Sequence, residues 1–105
     1  MSPAVRGSRT GRPIMALLDL LGRRWTLRIL WELRQARLTF RALQDACEEV
    51  SPSVLNTRLK ELRAAAIVDW TQDGGYGLTE QGRSLMSALM PLVDWAKGWK
   101  TKDQK

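Results

Sequence analysis

Histidine is absent from the 105 residues, and cysteine occurs once, as Cys47. Without imidazole and with a single thiol, the chain lacks the usual ligands of a zinc site. It also lacks the base on which most serine and cysteine nucleophiles depend. One cysteine cannot close an intramolecular disulfide, so nothing calls for an oxidising compartment, and the cytoplasm is the expected location. Adjacent carboxylates occur only at Glu48 and Glu49. Neighbours in sequence on a helix point in different directions, and a solvated helix end accounts for this pair without acid–base chemistry. Catalysis is not expected, and neither a metal nor a cofactor is implied.

Long hydrophobic runs are missing as well. The apolar run Ile14 to Leu21 contains Asp19 and is far shorter than a membrane span, and no small-residue cleavage pattern follows it. No membrane partner is expected. What the chain does have is a globular balance, 44% hydrophobic and 27% charged over a length that fits one compact domain. Its formal charge of +6 attracts polyanions, yet the excess sits at the two ends: residues 1 to 24 carry a net +4, residues 97 to 105 a net +3, and the stretch between them −1. Charge alone therefore fits sticky tails on a neutral domain as well as it fits a DNA-reading surface.

The order of elements is more informative. Residues 1 to 11, rich in Ser, Gly, Pro and Arg without apolar periodicity, read as a flexible basic arm, residues 12 to 100 as one domain, and 101 to 105 as a basic tail. Pro13 suits a first helical position, Ile14, Leu17, Leu18 and Leu21 repeat at helical spacing, and Gly22 ends that helix. A second helix spans about Trp25 to Gln35 on the stripe Trp25, Ile29, Leu30 and Leu33. Thr39 can cap a short third helix containing Phe40, Leu43 and Ala46. Ser51 before Pro52 restarts the chain as a helix to Ala65, with Leu55, Leu59 and Leu62 on one face. Ile67 to Thr71 and Tyr76 to Leu78, joined through Asp73-Gly74-Gly75, make a short hairpin. Thr79 opens a last helix toward Trp99, which Pro91 should kink. A mainly α chain with a small β-hairpin, in this order, is a winged helix-turn-helix.

In that fold the helix from Pro52 lies in the major groove. At about 100° per residue, with the leucines inward, Ser53, Thr57 and Lys60 fall opposite and Val54 and Asn56 on the shoulders, which makes these five the base-reading candidates. Thr39, Arg41 and Ser51 stand where helix starts meet phosphates, and the arm adds Arg6, Arg9 and Arg12. Arg58, on the edge of the inner stripe, can either reach a phosphate or pair with a carboxylate inside the domain.

The residues that carry these elements resemble the HxlR family of bacterial winged helix-turn-helix regulators over nearly all of Pro13 to Trp99. Leu21 to Leu30 is similar to the family's Gly-Lys-Trp-Thr segment, with Arg24 in place of Lys. Phe40-Arg41-Ala42-Leu43 is similar to its Phe-x-x-Leu. Ser51 to Leu62 is similar to its recognition helix, Ser-x-x-Val-Leu-x-x-Arg-Leu-x-x-Leu, and Tyr76 to Gly82 to Tyr-x-Leu-Thr-x-x-Gly. The resemblance implies a homodimer on duplex DNA, joined through the first and last helices. The last helix carries two apolar stripes, one with Leu85, Leu89 and Leu92 and the other with Met86, Met90 and Val93, and one core cannot cover both. Ile14, Leu17, Leu18, Met86, Leu89, Met90, Val93 and Trp95 are the interface candidates.

Three departures from the family pattern stand out. Arg12 precedes Pro13 where many members have a redox-active cysteine, so that switch is not carried over, and Cys47 reads as an inert, partly buried residue. The wing tip, Gln72 to Gly75, has no Lys or Arg for a minor groove. Ala65-Ala66 stands where an acidic residue and glycine are common, which suggests a differently built turn. The sequence thus supports a dimeric DNA-binding regulator ahead of a protein-interaction dimer of the same fold. A third possibility, an unidentified small-molecule effector, requires an apolar cavity between subunits lined by Trp31, Trp95 or Trp99.

Overall fold

The computed structural model describes residues 12–101. The arm at 1–11, with Arg6 and Arg9, and residues 102–105 of the basic tail lie outside the described residues. The elements follow one another as α1 (Pro13–Leu21), α2 (Thr26–Glu32), α3 (Phe40–Cys47), α4 (Pro52–Ala64), β1 (Val68–Thr71), β2 (Gly75–Leu78) and α5 (Glu80–Lys97). Among the described residues, no helix is long and apolar enough to cross a membrane.

Local chemistry explains where four of the five helices begin. Thr39, Ser51 and Thr79 each accept a hydrogen bond from the backbone N–H three residues on, at 3.1, 3.2 and 2.9 Å, which satisfies an otherwise orphaned donor at a helix N-terminus. Pro13 and Pro52 occupy first turns, where no N–H is needed. The second helix is shorter than the stripe predicts. Trp25 stands outside it with φ 78°, in the left-handed region, and Leu33 closes the other end.

The core joins Ile29 and Leu30 of α2, Leu43 and Cys47 of α3, and Leu55, Leu59 and Leu62 of α4, all but fully buried, with Val68 and Leu78 of the hairpin. Met86 of α5 belongs to it too, at 8% exposure. Its side chain also borders the apolar groove between α2 and α5.

The hairpin pairs Val68 with Leu78, Asp69 with Gly77, Trp70 with Tyr76 and Thr71 with Gly75, leaving Gln72, Asp73 and Gly74 as its loop. A third chain segment joins it: Leu38 and Tyr76 exchange backbone hydrogen bonds of 2.9 and 2.8 Å, so the linker before α3 lies against β2. Behind the wing, the Thr79 hydroxyl donates to the Ala66 carbonyl at 2.7 Å. A Cβ on Gly82 would sit 2.2 Å from the Ile67 carbonyl oxygen. Only glycine lets the first turn of α5 approach the start of the wing this closely, which is the physical content of the Thr-x-x-Gly pattern.

Candidate nucleic-acid interface

Helices α3 and α4 and the four residues between them form the helix-turn-helix. The turn is tight: Glu48 has φ 72° and ψ −71°, and the Glu49 N–H reaches the Cys47 carbonyl at 2.9 Å, a γ-turn of the strained hand. The Gln44 side chain donates to the Val50 carbonyl at 3.4 Å, and Val50 is buried. These contacts tie the end of α3 to the start of α4.

Of the five base-reading candidates, Ser53, Asn56, Thr57 and Lys60 lie exposed on one side of α4, opposite Leu55, Leu59 and Leu62. Val54 is half-buried and packs on the core, so it presents only an edge. The Thr57 hydroxyl donates to the Ser53 carbonyl at 3.0 Å and would have to release that bond to donate to a base. Thr39 and Ser51 use their hydroxyl oxygens as caps, and the Ser51 hydroxyl also lies 3.5 Å from that of Ser53. Arg41 is exposed on the first turn of α3, and Arg12 is exposed at the start of α1.

Arg58 takes the internal alternative. Its Nε donates to the Arg24 carbonyl at 2.8 Å and its Nη1 to Glu61 Oε1 at 3.1 Å. Glu61 Oε2 also holds Arg23 Nη1 at 3.0 Å, and Arg23 Nη2 holds Asp19 at 3.0 Å. The hydrogen bond that Arg23 donates to Asp19, with the nearby Glu61, raises the Arg23 guanidinium above its ordinary value. Burial pushes the Cys47 thiol up, which disfavours the reactive thiolate.

The wing hangs from a residue outside the sequence expectations. Arg37, between α2 and α3, donates through Nη2 to the Asp69 carboxylate and to the Gly75 carbonyl at 2.9 Å. Its guanidinium lies where a Cβ on Gly77 would be. A single residue in a linker has no period, so only its charge could have drawn notice.

Helices α2 and α5 border an apolar groove of about 240 Å³ whose lining includes Leu27, Trp31, Met86, Leu89, Met90 and Val93. Ile14 and Leu18 of α1 and Met90, Leu92, Trp95 and Trp99 toward the end of the chain are exposed, with the last two rings 5.8 Å apart. Leu17 and Leu89 rest partly on the core.

Residues 20–104 match the model of the HxlR-like helix-turn-helix family. The uncharacterised HTH-type transcriptional regulator YvaP of Bacillus subtilis is 30% identical over 88 residues, spanning 78% of this chain and 82% of YvaP. Among solved structures, quinone-bound YodB from B. subtilis superposes with a TM-score of 0.75 at 30% identity, covering 84% of this chain and 99% of that one. A possible HxlR family transcriptional factor from Thermoplasma volcanium gives 0.71 at 28% identity, covering 82% and 83%.

Proposed function

Because the chain belongs to the HxlR-like helix-turn-helix family and is a transcriptional regulator of that type, we propose that it acts in the cytoplasm as a homodimer that binds duplex DNA sequence-specifically. The observation that supports this most directly is the face of α4. Its hydroxyl, amide and ammonium groups stand exposed together on a helix capped at Ser51 and backed by three buried leucines. Asn56 has the donor and acceptor pair that suits adenine, Lys60 suits guanine or phosphate, and the hydroxyls of Ser53 and Thr57 serve either base type. Thr39, Arg41, Ser51 and Arg12, with Arg6 and Arg9 of the arm, supply phosphate contacts that set register. Arg58 is reserved for the domain itself.

The test is binding to a duplex enriched by the protein from a random-sequence pool, with random duplex as competitor and salt varied. Thr57→Ala and Lys60→Ala should each weaken specific binding by roughly 1 kcal/mol or more, and Lys60→Ala should lower the salt slope by about one. Unchanged affinity in both variants would remove α4's outer face from the reading surface.

A small organic effector is a second reading, favoured by Trp31 in the apolar groove. YodB, similar to this chain, has a structure with a quinone bound. Quenching of tryptophan emission by a quinone, abolished by Trp31→Ala, would support it.

A further inference from the structure

The apolar stripe that seats α4 does not by itself fix how the helix is turned. Leu55, Leu59 and Leu62 are held by hydrophobic burial, which has no direction, and leucine packing accommodates small rotations about the helix axis. Base reading does not accommodate them. With side chains about 5–6 Å from the axis, a rotation of roughly 20° carries an outer group about 2 Å, and a hydrogen bond spans only about 2.7–3.2 Å. Something directional has to set the rotation of α4.

We propose that Glu61 is the positioning residue of the recognition helix, acting through the charge chain Asp19–Arg23–Glu61–Arg58. Glu61 lies on α4 one residue beyond Lys60, and both its oxygens are engaged: Oε2 at 3.0 Å from Arg23, Oε1 at 3.1 Å from Arg58. Arg23 follows α1 and is itself held by Asp19 of α1 at 3.0 Å. Arg58 closes the chain on the Arg24 carbonyl at 2.8 Å. The four side chains retain only 20–26% of their exposure and line one cleft of about 550 Å³ with Leu18 and Gly22. Each guanidinium is a rigid planar fork that spends separate nitrogens on two partners, Arg23 on Asp19 and Glu61 and Arg58 on Glu61 and the Arg24 carbonyl, which fixes the angle between them as well as the distances. The chain therefore references α4 to α1 through Glu61 and to the turn after it through Arg58, which acts on DNA by holding the Arg24 carbonyl rather than by touching phosphate. Pairs this close to the surface contribute little to folding, which separates their effect on reading from their effect on stability.

This inference rests on the DNA-binding reading, and its test keeps the two apart. Glu61→Gln, Arg23→Gln and the double variant are compared with the wild type by fluorescence anisotropy on a duplex that the wild type enriches from a random-sequence pool, and on a random duplex of equal length. A glutamine turns an N–H toward one of the two guanidinium groups, so one arm of the chain opens. The expected result is a melting midpoint within roughly 3 °C of the wild type. The ratio of specific to random affinity should fall roughly tenfold in each single variant and no further in the double, because both break one linkage. A preserved ratio in Glu61→Gln, additive losses in the double variant, or loss of the folded state in either single variant would each overturn the proposal. Failure of the wild type to enrich any duplex would overturn the DNA-binding reading and this inference with it. Enrichment by the wild type together with a preserved ratio would overturn this inference alone.

Discussion

Ala66 sits where a helix C-terminus ordinarily places glycine. The Ile67 N–H bonds the Leu62 carbonyl and the Ala66 N–H bonds that of Arg63, both at 3.0 Å, the paired closure of a Schellman motif. Ala66 has φ 62°, a conformation that costs an L residue with a Cβ roughly 1 kcal/mol. Absence of the family's glycine suggested a different turn, yet the turn is of the usual kind, because the buried Ile67 and the Thr79 hydroxyl on the Ala66 carbonyl hold it from both sides. Ala66→Gly should therefore stabilise the fold by about 1 kcal/mol, read as a higher urea midpoint at unchanged slope. A lower midpoint would mean that flexibility gained in the unfolded chain outweighs the relieved strain. Arg58 teaches the converse. Its two alternatives were equally open in the sequence, since the deciding partners are the Arg24 carbonyl, far off in sequence, and a glutamate one turn along that Arg23 also holds.

At the scale of elements, four of the five helices announce their own start, with a hydroxyl at Thr39, Ser51 and Thr79 and a proline at Pro13 and Pro52, whereas α2 follows Trp25 with no side-chain cap and was legible from its apolar stripe alone. The wing was legible as a hairpin and no further. Its attachment depends on the Leu38–Tyr76 bridge and on Arg37, neither of which belongs to a repeating pattern. Arg37→Ala should loosen the wing more than the fold. The pair with Asp69 is part-exposed and screened, so the global cost is about 1 kcal/mol. The Leu38 and Tyr76 amides, in contrast, should exchange with solvent roughly ten times faster. Equal acceleration across the helices would show that the wing is not a separate unit of stability.

For the molecule as a whole, the unanswered surface is the apolar one. Leu92 and Trp95 are 58% and 62% exposed, beside a groove with little polar lining, and large exposed apolar patches of this kind mark contacts with a partner. If two copies cover it, Leu92→Asp buries an unpaired carboxylate at the contact and should raise the dimer dissociation constant roughly a hundredfold while leaving the monomer folded. Sedimentation equilibrium would show this, and an unchanged mass would place the contact elsewhere. Both stripes of α5 were readable from spacing, but not how deeply each residue sits, as Met86, buried in the core and bordering the groove, illustrates. The bracketing of α4 bears on how such a regulator can change. Glu48 before it and Ala66 after it both hold positive φ, and one nucleotide change takes either codon to glycine. A natural protein needs stability only above a threshold, so both sites are room left unused. A lineage altering Ser53, Asn56 or Lys60 to suit a new operator, at some loss in folding, could recover that loss at the helix's own ends, leaving the new reading face intact. The geometry that holds the helix in place thereby also widens the range of sequences it can explore.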